Sequence, residues 1–391
     1  MKKRLSAIML VLAILLAGCA NNNGGTTPTA GSSQSPQSPQ TSTPESPPSD
    51  SGQAGEVSIG PLVLVDAFGR EVEIPANVKT IAAVGGAARI ITYAGCADML
   101  VGVTDMDKSN VTAMPYSVVN AEHFAGIASV GSGGSNDTPY VEELIAAGPD
   151  LIIAMPGSIE VINDVAEKTG IPVLGINPSA MFDESFYFAL ELIGKAIGNE
   201  ERCTEVVEYI KGCAKDLDER TKDIPDDDKP SVYTGAVSFR GAHGFEGTYA
   251  NYPPFMAINV KNVADETGQN GGLLIDLEKV TVWDPDIIFL NPTNMNLVYE
   301  DYSKNPVFYD SLRAVQNGDV YAQLSFNYNW TNMEIAIADA YYAGKIIFPE
   351  QFKDIDPIEK ADEIFTMMLG EPFYEKIAAD GTRFEQITIG G

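Results

Sequence analysis

The side chains best suited to holding a small molecule gather in two short stretches of this 391-residue chain. VSFRGAHGFEGTYANYPPF (237–255) puts Arg240, His243, Tyr249, Asn251, Tyr252 and Phe255 into one segment after a strand-like run, and SFNYNWTN (325–332) adds Tyr328 and Trp330 after another. A guanidinium, an imidazole and several rings this close together suit a bulky ligand that carries anionic groups. Arginine can fork onto a carboxylate or oxyanion, and flat rings supply apolar contact. In the first half, the loops GGAAR (85–89), TDMDK (104–108), GSGGSND (131–137) and MPGS (155–158) contain glycines that let a ligand approach the backbone, and Arg89 is their strongest candidate for pairing with an anion. Taken singly, each loop serves equally well as a tight turn, and each aromatic as packing.

Two histidines, His123 and His243, are the whole imidazole supply. Capture of bare zinc or manganese calls for several imidazoles plus carboxylates, so no direct metal site is expected. A metal already wrapped in an organic ligand fits better. An oxyanion such as molybdate or tungstate competes, because amides, hydroxyls and one or two arginines can hold it. No cofactor is expected beyond such a ligand. GxSxG, HExxH, CxxC and GxxxxGK[ST] are all missing, which argues against an enzyme. After Cys19 only Cys96, Cys203 and Cys213 remain, an odd set that implies no disulfide framework. A formal net charge of −29 argues against nucleic acid and against adhesion to anionic lipid.

The elements that must position these residues are legible from apolar patterning. From Thr80, short aliphatic runs alternate with longer amphipathic ones, the signature of βαβ units and a largely parallel sheet. Strands are expected at 80–85, 100–105, 150–155, 172–177, 231–236, 286–291 and 320–325, with helices at 139–148 and 158–170. The segments YVEELIAAGPDLIIAMP (140–156) and DLEKVTVWDPDIIFLNP (276–292) echo one another, each with a helix-like stretch, a Pro-Asp, four aliphatic residues and a second proline. Apolar or small residues at 203, 206, 207, 210, 213, 214 and 217 form a helical stripe through 199–224. Cys203 and Cys213 fall on that stripe and read as small buried hydrophobes. The expected body is therefore α/β, with an N-terminal lobe at 56–198, a single bridging helix at 199–224 and a C-terminal lobe at 225–391.

Ahead of that body, Lys2, Lys3 and Arg4 precede an apolar run of about 13 residues, too short for a bilayer, that ends in Leu16-Ala17-Gly18-Cys19. The run reads as a secretion signal over 1–18, and its end resembles the lipobox of secreted lipoproteins. That resemblance implies a diacylglyceryl group on Cys19, a membrane contact through lipid only and an extracytoplasmic location. Residues 19–55, rich in Ser, Thr, Pro and Gln, have too little apolar surface to fold and read as a disordered tether.

VDAFGREVEIPANVKTIAAVGG (65–86), ITYAGCADMLVGVTD (91–105) and VEELIAAGPDLIIA (141–154), in this order and spacing, resemble the periplasmic binding proteins of siderophore, haem and cobalamin uptake. The resemblance implies two Rossmann-like lobes joined by one long helix, with the ligand, iron(III) as a siderophore first and haem or a corrinoid next, in a groove between them at the carboxyl ends of the strands. It further implies a monomer that delivers its cargo to an ABC permease and its ATPase, docking through one acidic side chain on each lobe. Glu160 matches the first of these positions and Glu300 is the nearest counterpart of the second. A surface adhesion or scaffold lipoprotein is the alternative of a different class, and the sequons at Asn110, Asn136 and Asn329 would suit it.

Overall fold

A computed structural model describes residues 61–134, 137–155 and 157–390. The expected secretion signal, lipidated Cys19 and tether lie outside the described residues, as do residues 56–60 of the expected first lobe. The chain enters on a hairpin, β1 (Leu62–Val65) with β2 (Glu71–Ile74). Then β3 (Ile81–Gly85), β4 (Leu100–Thr104), β5 (Ala128–Gly131), β6 (Leu151–Met155) and β7 (Val173–Gly175) form an all-parallel sheet of order β5-β4-β3-β6-β7. In the second half, β8 (Val232–Gly235) precedes a hairpin of β9 (Gly247–Ala250) and β10 (Gly271–Leu274). With β11 (Ile287–Leu290), β12 (Val320–Ala322) and β13 (Glu385–Gln386) it completes a sheet of order β13-β12-β11-β8, parallel except at the β13 edge.

The two Pro-Asp echoes occupy equivalent places. Asp150 Oδ2 accepts from the amide and hydroxyl of Thr80 at 2.9 and 3.1 Å, just before β3. Asp286 Oδ2 accepts from the amide and hydroxyl of Ser231 at 2.8 and 2.7 Å, just before β8. Each hydroxyl in turn accepts from the aspartate's own amide, at 3.1 and 3.0 Å. The aspartate thus ties the start of its own strand to the start of the neighbouring one, which fixes the register of each pair.

The strands β3, β6 and β8 are buried at every position, and successive side chains alternate between two faces, as in a sheet covered on both sides. Ile81, Ala83, Leu151 and Ile153 face one core cluster while Ala82, Val84, Ile152 and Ala154 face another. In the second sheet Val232 and Phe289 join the first of these clusters, and Tyr233, Ile288 and Leu290 face a third. One apolar core therefore runs from sheet to sheet through a shared helical layer. Its spine is Glu200–Thr221, a helix of 22 residues that buries Cys203, Val206, Val207, Ile210, Cys213 and Leu217 along the expected stripe. Cys96, Cys203 and Cys213 are all unbridged and buried. Beside the spine, the helices Met333–Ile347 and Pro357–Leu369 pack on each other, and the latter also touches Ala87–Tyr93 of the first half. A continuous core of this kind resists hinge motion, because separating the lobes would expose apolar surface.

Candidate ligand cleft

The carboxyl ends of β4, β5, β8, β11 and β12 converge on a cleft of about 1100 Å³. Met106, Val111, Thr112 and Gly134 line it from the first half, and Ser238, Phe239, Arg240, Asn294, Tyr328 and Trp330 are among those lining it from the second. Of the expected ligand residues, the structure brings Arg240, Tyr328 and Trp330 together here. Tyr328 and Trp330 keep 38% and 37% of their surface exposed, enough to stack on a bound molecule.

Arg240 sits on the loop after β8, in a left-handed backbone conformation at φ 51°. Asn294 fixes the start of the loop, its amide donating to Ala236 O at 2.7 Å and to Ser238 Oγ at 2.9 Å. His243 closes the other side. Its Nε2 lies 2.9 Å from Phe239 O, and its ring lies 4.1 Å from that of Phe239, tilted by 31°. Arg240 itself is exposed and, among the described residues, makes no ion pair or hydrogen bond. It is the one cation among the described lining residues, and Asp380 is the one anion. Asp380 accepts from Thr112 Oγ1 at 2.6 Å, which joins the two halves at the rim.

Other expected ligand residues lie elsewhere. Arg89 is fully buried and does not reach the cleft, because every residue of its helix Ala87–Tyr93 packs into the core. Tyr252 is 2% exposed, enclosed by Tyr249, Phe255 and Phe326, so its bulk fills the core. Tyr249 is half-buried beside it. Asn251 caps a turn instead, its amide nitrogen donating to Asp265 Oδ1 at 2.6 Å and its side chain to Asn270 Oδ1 at 3.2 Å. His243 supports the Arg240 loop from behind. Ser238, Asn294, Ser325, Asn327 and Asp380 went unrecognised. Small polar residues just after a strand were their only signal, and Asp380 arrives from a distant part of the chain.

Glu160 is exposed in the first turn of Ile159–Thr169, where the Ser158 hydroxyl holds its carboxyl below the usual range. Glu300 is exposed but bonded to Lys304 at 2.6 Å. Asn329 donates from its side-chain nitrogen to Tyr116 OH at 3.1 Å, so the amide of that sequon is engaged within the fold.

A family model described as periplasmic binding protein matches residues 81–323. The chain belongs to that family. As a periplasmic binding protein it has a substrate-binding role. It is 28% identical over 299 residues to the uncharacterized ABC transporter substrate-binding lipoprotein YvrC of Bacillus subtilis, which covers 74% of this chain and 81% of that one. It is 24% identical over 238 residues to the Fe(3+)-citrate-binding protein YfmC of the same organism, with 54% and 71% covered. Among solved structures, a periplasmic solute binding protein from Veillonella parvula superposes with a TM-score of 0.65 at 18% identity, covering 80% and 94% of the two chains. The molybdate-bound MolA of Haemophilus influenzae follows at 0.63 and 19%, covering 80% and 98%. These structures establish the common two-lobed fold.

A buried carboxyl in this periplasmic binding protein should make its stability depend on pH. Asp339 accepts from Leu324 N at 2.9 Å through Oδ1, while Oδ2 is buried without a partner. Burial raises its pKa well above the usual carboxylate range. With the folded value raised, the stability contributed by the protonated acid is fully present below the unfolded pKa. It erodes as pH climbs towards and through the folded one. Asp339→Asn keeps the acceptor without the ionisation, so its melting temperature should exceed wild type at pH 8 and match it at pH 4. Parallel thermal melts at the two pH values measure the difference, and equal shifts at both would reject the assignment.

Proposed function

We propose that the protein is the extracytoplasmic, lipid-anchored substrate-binding subunit of an ABC importer, and that its cleft takes an anionic metal chelate of the iron(III)-siderophore type. The observation that carries the ligand class is Arg240, the lone cation among the described lining residues and unpaired among them, beside Phe239, Tyr328 and Trp330 in a space of about 1100 Å³. A volume of that order suits ligands of drug size, and one cation among rings suits a bulky anion with apolar surface. The lipoprotein and Fe(3+)-citrate-binding names of the relatives support the same reading. Cys19 is the proposed lipid attachment.

Calorimetric titration of the purified protein with ferric citrate, a ferric hydroxamate, haem, cyanocobalamin and molybdate tests this directly. A ferric chelate is expected to bind below about 1 μM, near −8 kcal/mol. Binding of molybdate alone, or of none of the five, would sink the chelate reading.

Glu160 and Glu300 are the proposed contacts with the permease. Glu160→Lys should reduce uptake of the bound chelate in cells while leaving its affinity unchanged. The same change at Glu300 should do less, because Lys304 already neutralises that carboxylate. Unaltered uptake in the double variant would place docking elsewhere.

A further inference from the structure

The loop that carries Tyr328 and Trp330 is held in an unfavourable backbone conformation. Asn329 and Trp330 have φ values of 48° and 72°, consecutive left-handed residues of which the second is a bulky aromatic. Such residues persist only where their surroundings over-determine them. An antiparallel bridge between Asn327 and Thr331 closes the loop, and the Asn332 amide donates to Phe326 O at 2.8 Å.

Most of the remaining restraint comes from the other half of the chain. Arg89 Nε donates to Asn332 Oδ1 at 3.0 Å, and its Nη2 donates to the carbonyl oxygens of Asn329 and, at 3.4 Å, Tyr328. Asn332 passes the restraint on, its side-chain nitrogen donating to Tyr328 O at 3.0 Å and to Ala113 O at 3.1 Å. Asn329 donates to Tyr116 OH, which donates to Asp107 Oδ1 at 2.7 Å. The Arg89 guanidinium lies 4.6 Å from the centre of the Tyr116 ring, and no carboxylate among the described residues comes within ion-pair distance of it, although the buried carboxyls of Glu334 and Asp107 lie close enough to feel its charge. The Trp330 ring then rests on Gly86, where an added Cβ would come within 2.8 Å of Trp330 Cδ1.

A fully buried arginine that spends its donors on main-chain carbonyls and one carboxamide is organising backbone. We infer that Arg89 is a positioning residue: from the first half of the chain it locks the Tyr328–Trp330 loop of the second half into its left-handed form, and so preforms the aromatic wall of the cleft. Lysine does not replace it. A single ammonium cannot reach the Asn332 carboxamide and the Asn329 carbonyl in the fork that Nε and Nη2 provide. The inference builds on the cleft as the ligand site, but its test contains no ligand.

With Trp283→Phe as background, Trp330 is the single tryptophan of the full chain. Acrylamide quenching and fluorescence anisotropy then report on the loop alone. Loss of its restraints in Arg89→Gln should raise the quenching constant about two- to threefold and lower the anisotropy, as expected of a segment released to local opening. Arg89→Lys should move both in the same direction. If Arg89→Gln fails to fold, Asn332→Ala removes the shared acceptor and should give the same changes. Unchanged quenching and anisotropy in a folded variant would overturn the inference, even if its melting temperature fell, because a merely structural arginine would lower stability without freeing Trp330. Failure of every chelate to bind would leave these signals as they are, so the clamp and the ligand class fall separately.

Discussion

Arg240→Gln should weaken binding of a ferric chelate about 10- to 150-fold, the equivalent of one hydrogen bond to a charged group at about 1.5–3 kcal/mol. Arg240→Glu should abolish it in the micromolar range, since the cleft would then hold two carboxylates, with Asp380, and no cation among its described lining residues. Neither change should cost more than about 0.5 kcal/mol of folding stability, because the side chain is exposed and has no partner among the described residues. Wild-type affinity should also fall with added salt, and the variants should lose that dependence. Calorimetry across ionic strengths with ferric citrate and with cyanocobalamin separates two cases. If the variants bind both as tightly as wild type, Arg240 does not meet the ligand. If only the anionic complex is lost, charge pairing decides which chelate is taken.

The path from sequence to site was uneven for identifiable reasons. Strand alternation and the two Pro-Asp echoes were readable because an aspartate of fixed spacing does the same job twice, tying Asp150 to Thr80 and Asp286 to Ser231. The bridging helix was readable from its stripe, and its observed span, Glu200–Thr221, falls inside the expected one. The strand β5 and the hairpin of β9 and β10 were missed, because sequences such as ASVG and GGLL have too few branched or aromatic residues to stand out.

Within the site the difficulty was of another kind. Arg240, Tyr328 and Trp330 follow strands directly, so topology alone put them at the cleft. Arg89 also follows a strand, yet its helix, AARIITY, has no polar face. A charged residue on a helix apolar all round has to find its partners inside the protein, and that was the available sign that Arg89 faces inward. Tyr249 and Tyr252 misled for the opposite reason, since aromatics crowded on a loop serve a core as readily as a ligand.

Gly85→Ala should be the most damaging single-methyl change near the cleft, at about 2–5 kcal/mol. A left-handed alanine costs roughly 1–2 kcal/mol, and forced displacement of packed neighbours adds about 1–3. Gly85 ends β3 at φ 68°, and a Cβ there would stand 2.2 Å from Met155 O on the paired strand β6. Backbone lies on both sides of that clash, so no rotamer relieves it. Gly170, at φ 70° with nothing within 4 Å of an added Cβ, supplies the comparison. Gly170→Ala bears only the conformational penalty, and the excess loss at Gly85 measures the close approach of the strands. Urea denaturation of both variants gives that difference, and equal losses would show that conformation alone demands glycine at position 85. The displacement should also carry into the cleft. Met155 Sδ and the Trp330 ring both crowd Gly86, at 3.0 and 2.8 Å from where its Cβ would be. A shift of β6 therefore moves the surface on which Trp330 rests, and Gly85→Ala should weaken chelate binding even at temperatures where the variant is fully folded.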